Sequence, residues 1–127
     1  MASELVKVES RFTIDPKVQH LIKVYTATMS GCAFCVDIGK ASVQHKNLDP
    51  DIFDDLMIFD RSDRFSLAEK AAFFYVDKAN RNKPVSDETF RNLQQYFNGE
   101  EIIQITLINA IESFYNLNEC TVEYRIR

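Results

Sequence analysis

Cys32 and Cys35, two of the three cysteines in the chain, stand in the run Ser30-Gly31-Cys32-Ala33-Phe34-Cys35-Val36-Asp37-Ile38-Gly39. The run follows a Ser-Gly break and precedes a helical pattern. Two cysteines three apart in the first turn of a helix share one face. They are then close enough to form a disulfide with little backbone movement. Free amide N–H groups and the positive end of the helix dipole at such a position favour a thiolate. The pattern therefore fits a redox pair. Two other readings remain open at this level: inert buried thiols, or metal ligands. A structural zinc site takes four ligands; only Cys120, His20 and His45 are left to complete one, and none shows ligand spacing. No metal and no cofactor is expected.

Size and composition narrow the setting. At 127 residues, with 46% apolar side chains, the chain is long enough for one domain with its own core. A single domain over residues 1–127 is expected, with 1–14 as an arm or short helix. The net charge is −4, the pI is near 5.1, and no Lys/Arg-rich run appears. That argues against nucleic acid or an anionic membrane as partner. No segment approaches the roughly 18 apolar residues of a membrane span, and the N-terminus lacks an apolar leader core. A cytoplasmic protein is the expectation, and in a reducing cytosol paired cysteines read as redox-active or metal-binding.

The elements that must position the pair can be read from caps and periodicity. Asp15-Pro16 is a helix start, with Asp as N-cap and Pro in the first turn. Val18, Leu21, Ile22, Tyr25 and Met29 follow at helical spacing until Ser30-Gly31 interrupts them. A second helix is predicted from 32 to about 45, carrying Cys35, Ile38, Ser42 and His45 along one line. Asp49-Pro50 repeats the start signal before a short amphipathic helix with Ile52, Phe53, Leu56, Met57 and Phe59. Ser66 and Glu69 form a capping box for a helix reaching about 81, and Asn82-Lys83-Pro84 breaks it. Ser86 caps a helix through Phe90, Leu93 and Phe97. Asn98-Gly99-Glu100-Glu101 opens a last helix, apolar on most sides from 102 to 117, as expected of a helix covered by other helices or another subunit. Asn109, Glu112 and Asn116 form a polar stripe on it, read either as a subunit interface or as placing Glu112 as an acid near the thiols. The prediction is an all-α domain of about six helices.

The order of elements resembles the alkyl hydroperoxidase D / carboxymuconolactone decarboxylase family. The likeness rests on the run from Gln19-His20-Leu21-Ile22 through Cys32-Ala33-Phe34-Cys35, on Phe65 and Ala68-Glu69-Lys70-Ala71, on Val85-Ser86-Asp87 with Phe90, and on Glu100-Glu101-Ile102-Ile103 through Phe114-Tyr115-Asn116. It spans roughly residues 15 to 118. The resemblance implies an all-α fold that assembles as a homo-oligomer, trimer or hexamer. It also implies peroxide or disulfide reduction at Cys32 and Cys35, with Cys35 as the attacking sulfur and an external thiol reductant resetting the pair. Redox members share a proton relay of a Glu twelve positions before the first cysteine and a His four after the second. Those positions are His20 and Gly39 here. His20 is thus the candidate base, although twelve residues of straight helix span about 18 Å. Contact with the thiols would need the first helix to end early and the chain to fold back at Ser30-Gly31. Two alternatives stand beside the peroxidase reading: a lactone decarboxylase with His20 as acid/base, and a non-catalytic oligomeric member whose relay has decayed.

Overall fold

A computed structural model of the protein describes residues 2–31, 50–81 and 84–118. Among these, five α-helices and one 3₁₀ helix occur in the order α1 (Ala2–Glu9), α2 (Pro16–Ser30), the 3₁₀ helix (Pro50–Arg61), α3 (Leu67–Asn80), α4 (Asp87–Gln94) and α5 (Gly99–Leu117). No strand occurs among them, as the sequence led us to expect. The helix anticipated over 32 to 45 lies outside the described residues. So do Cys32, Cys35, His45 and Cys120.

The caps read from sequence form as expected. Asp15 accepts from the Lys17 amide at 2.9 Å, ahead of Pro16. At α3 the Ser66 hydroxyl accepts from the Glu69 amide (3.1 Å) while Glu69 accepts from the Ser66 amide (2.8 Å). Asn98 and Glu101 make the same reciprocal pair at α5. Each cap satisfies amides that the first helical turn leaves without partners, and is worth about 1 kcal/mol. Glu69, itself buried, also meets Lys17 of α2 at 3.5 Å.

The segment after Asp49 departs from expectation. It is a 3₁₀ helix with a kink at Ile58 (φ −119°, ψ 31°), and Met57 is exposed rather than buried. The buried residues Phe53, Leu56 and Phe59 explain this: they recur at a strict interval of three, the repeat that a 3₁₀ helix stacks on one side. α4 is also shorter than its apolar pattern, ending at Gln94. Phe97 is buried all the same, beyond the turn that leads to the Asn98 cap.

One core joins these elements. Leu21, Ile22 and Val24 of α2, Leu56 of the 3₁₀ helix, Ala72, Phe73 and Val76 of α3, Leu93 of α4 and Ile105 and Ile108 of α5 are all but closed to solvent. Burying such a side chain contributes about 1.5–3 kcal/mol before conformational entropy is counted. Phe73 stacks on Tyr25 and meets Phe59 and Phe65, with ring centroids 5.2 Å apart in each case. α5 lies along α2 in the same direction: Gln104 bonds the chain just before α2 at Thr13 and Ile14, Asn109 bonds Thr26, and Asn116 bonds Ser30. Its outer side carries Ile103, Leu107, Phe114 and Leu117, between 40% and 63% exposed.

Candidate functional site

The chain reaches the cysteines from the C-terminal end of α2, and that end is built with care. Gly31 closes the helix in the left-handed region (φ 71°), its amide donating to the carbonyl of Thr28 at 3.1 Å. Among the described residues a side chain there would meet nothing within 4 Å, so conformation and not space calls for glycine. Ser30 donates back to the Thr26 carbonyl (2.9 Å) and accepts from Asn116 Nδ2 (3.2 Å).

From this point a polar seam runs back between α2 and α5. Thr26 Oγ1 donates to Asn109 Oδ1 at 2.9 Å. Asn109 exchanges two amide bonds with Asn80, at the end of α3, at 2.8 and 3.0 Å. One turn earlier on α2, Lys23 pairs with Glu9 of α1 at 3.0 Å. Lys23, Thr26 and Ser30 share one stripe of α2, and Asn109, Glu112 and Asn116 share one stripe of α5. The α5 stripe therefore faces α2 through Asn109 and Asn116, and the subunit-interface reading of it is corrected. Sequence periodicity shows the stripe but not its partner. Asn80, Lys23 and Glu9 were missed because only their tertiary neighbours mark them out.

Two features make the seam more than glue. Burial pushes the Glu112 carboxyl up to about 7; Glu9 adds to the rise and Lys23 opposes it. Among the described residues, Asn116 Oδ1 and Glu9 Oε1 are buried side-chain oxygens with no hydrogen-bond partner. A carboxyl that titrates near neutrality can give or take a proton at working pH. Tyr115 beside it is also raised, by burial and then by Glu9 and Glu112.

His20 stands elsewhere. It is 4% exposed, on the side of α2 that faces the 3₁₀ helix, with its ring edge-on to Phe53 at 6.0 Å. α2 does not end early, so His20 lies about 16 Å along the axis from Gly31. Tyr25 donates to Asp77 (3.2 Å), which also holds Arg81 (2.7 Å); burial, then Asp77, raises the Tyr25 phenol. This group fastens α2 to α3. Among the described residues no three His, Cys, Asp or Glu are placed to hold a metal, and no helix is long and apolar enough to cross a membrane. An open cleft of about 450 Å³ between α3 and α4, lined by Phe74, Glu88, Thr89, Arg91, Asn92 and Gln95, shares no residue with the seam.

No known family model matches the chain. Among curated proteins it is similar to the uncharacterised protein YdfG of Bacillus subtilis, 25% identical over 91% of this chain and 80% of that one. It is also similar to the uncharacterised protein YnjA of Escherichia coli, 27% identical over 81% of this chain but only 57% of that one. Of the solved structures, a protein of unknown function from Agrobacterium tumefaciens, proposed to be the antioxidant defence protein AhpD, superposes with a TM-score of 0.87 at 24% identity, over 98% of this chain and 86% of the other. The debrominase Bmp8, solved empty and as a Cys-to-Ala variant with 2,3,4-tribromopyrrole bound, superposes at 0.78, over 92% of this chain and 64% of its own. An uncharacterised peroxidase-related protein from Silicibacter reaches 0.75 at 17% identity, over 87% of this chain and 60% of its own. These likenesses settle the architecture: the chain has the alkyl hydroperoxidase D-like fold.

Proposed function

We propose that the protein is a thiol-dependent peroxidase or disulfide reductase of antioxidant defence, working in a reducing cytoplasm through Cys32 and Cys35. The observation that carries this reading is a Cys-x-x-Cys pair directly after the glycine-capped end of α2, in a chain whose fold matches that of a protein proposed to be AhpD. In the peroxidase reaction the Cys35 thiolate attacks the peroxide oxygen. The O–O bond breaks and the alkoxide leaves as an alcohol once it takes a proton. The resulting sulfenic acid condenses with the Cys32 thiol, forming the disulfide and releasing water. An external dithiol then reduces the disulfide. Cys32 is the equal candidate for attack on helix-start electrostatics alone. The family relay is missing here, with His20 and Gly39 at its two positions, and His20 keeps only a long-range place in the proposal. Assembly as a trimer or hexamer belongs to the same reading, supported by the uncovered apolar side of α5.

A reductant-coupled peroxide assay tests this reading. Cys32→Ser and Cys35→Ser should each abolish turnover, and mass spectrometry after peroxide should show the loss of two hydrogen atoms on the peptide holding both cysteines. A double Cys→Ser variant that turns over at the wild-type rate refutes it. Turnover of a carboxylated lactone that survives this variant and disappears with His20→Ala would instead make the protein a decarboxylase. Thiols of ordinary pKa that alkylate slowly would identify a non-catalytic member.

The likeness to Bmp8 favours one further substrate class. A dithiol can replace carbon–bromine by carbon–hydrogen on an electron-rich ring: the ring carbon takes one thiol proton, the two sulfurs supply two electrons as they close the disulfide, and bromide leaves with the second proton. Bromide release from a brominated pyrrole, lost on Cys→Ser substitution, would place the protein there.

A further inference from the structure

The cleft between α3 and α4 shares no residue with the seam at the end of α2. Its volume of about 450 Å³ falls within the roughly 300–1,000 Å³ of small-molecule pockets. Leu93, closed to solvent, anchors α4 to the core. Glu88, Arg91, Asn92 and Gln95 recur at helical spacing on one face of that helix, and all four line the cleft. Glu88 and Arg91 stand three residues apart, a spacing at which side chains can meet, yet they form no ion pair. Among the described residues neither has another ion-pair or hydrogen-bond partner, and the side-chain carboxamides of Asn92 and Gln95 are equally uncommitted. Thr89, by contrast, is held by the Ser86 hydroxyl at 2.9 Å.

α3 contributes Phe74, whose ring is 39% exposed. That ring meets the buried ring of Phe59 edge-on, with centroids 4.8 Å apart, so its open part is a fixed apolar surface. A helix face that is merely solvated needs no such surface beside it. Here one carboxylate, one guanidinium, two carboxamides and one aromatic ring border the same cavity. Glu88 disfavours a simple anion there and Arg91 a simple cation, which leaves a ligand that carries both charges.

We propose that this cleft binds a zwitterionic α-amino acid with an apolar or aromatic side chain. The ligand carboxylate accepts from the forked guanidinium of Arg91. Its ammonium donates to Glu88, and Asn92 and Gln95 supply donors and acceptors to the same two groups. The side chain lies against Phe74. One helical turn puts the Cβ atoms of Glu88 and Arg91 about 5–6 Å apart, and both charges of an α-amino acid hang on one carbon, so a single ligand can meet both. The cleft is open and its charges keep water, so the affinity expected is on the order of 1 mM.

Titration of the intact ¹⁵N-labelled protein with L-phenylalanine at about pH 7, followed through its amide NMR spectrum, tests this. Shifts should map to α4 and to the turns of α3 around Phe74, and should saturate with a Kd of about 1 mM. Glycine, which has no side chain to lay on Phe74, should bind at least about tenfold more weakly. Arg91→Gln should weaken phenylalanine about fivefold but leave L-phenylalaninamide, which lacks the carboxylate, unchanged. Glu88→Gln should weaken phenylalanine by about as much and leave N-acetyl-L-phenylalanine, which lacks the ammonium, unchanged. Both residues are exposed, so neither variant disturbs the core. The absence of saturable shifts up to about 20 mM overturns the proposal. So do shifts that map away from the cleft, glycine binding as tightly as phenylalanine, or an Arg91→Gln protein that binds phenylalanine as the wild type does.

Discussion

Replacing Asn109 by leucine tests the seam at its centre. Asn109 Oδ1 accepts from Thr26 at 2.9 Å and from Asn80 at 3.0 Å, and its Nδ2 donates to Asn80 at 2.8 Å. Leucine of similar size removes all three bonds without opening a large cavity. Each neutral bond is worth about 1 kcal/mol net, and stranding a buried hydroxyl costs about 1–3 kcal/mol. Thr26 is 1% exposed, so its hydroxyl has no water to turn to and must bend back onto its own helix. Asn80 is only half-buried and rehydrates, so its share is small. The sum is about 2–3 kcal/mol, or roughly 6–10 °C in Tm. Urea denaturation followed by circular dichroism, at one protein concentration throughout, measures it. Thr26→Val in the Asn109→Leu background should restore about 1 kcal/mol, because the stranded hydroxyl is then gone. Asn109→Leu within about 0.5 kcal/mol of wild type, or strict additivity of the two changes, would refute the claim that this seam holds α2, α3 and α5 in register.

Gly31→Ala should cost about 1 kcal/mol with no loss of packing, since the penalty lies in φ 71° and not in a clash; the same denaturation series checks it, and Gly31→Asn should recover part of the loss. Global stability should fall as pH rises from the ordinary carboxyl range to about 7 and then level off, because the folded chain holds a proton on Glu112 that the unfolded chain has already lost. After allowance for partial exposure the fall is about 1–2 kcal/mol, and Glu112→Gln should flatten it in a pH series of urea midpoints. Gln104→Leu should cost about 2 kcal/mol by the same measurement, as it strands the buried Ile14 amide, now held at 2.9 Å.

Much of the scaffold was legible in the residues because caps are local. Asp15-Pro16, Ser66 with Glu69 and Asn98 with Glu101 each declare a helix start within four residues, and each start is where the structure has it. The 3₁₀ segment was misread because Ile52, Phe53, Leu56 and Met57 satisfy the α-helical period about as well as Phe53, Leu56 and Phe59 satisfy the shorter one; packing decided between them. The polar stripe Asn109–Glu112–Asn116 was visible, but its orientation was not. A helix apolar on most sides carries no local mark of which side meets α2. Glu9 and Lys23 illustrate the same limit, since a partner fourteen residues away on another helix leaves no periodic trace. The reading of Cys32 and Cys35 rests on their spacing in the sequence, while the fold rests on agreement between caps, core and similar solved structures.

Thr26 and Asn109 are 83 residues apart in the chain, and Ser30 and Asn116 are 86 apart. During synthesis the two thiols of Cys32 and Cys35 leave the ribosome long before α5 exists. Closing loops of that length carries an entropic toll that only simultaneous burial of the last helix can offset. Until that moment a nascent chain presents its sulfurs without the hydrogen-bonded brace at the end of α2. A chain truncated ahead of α5 would lack the partners of Thr26 and Ser30 altogether, and α2 would end without them.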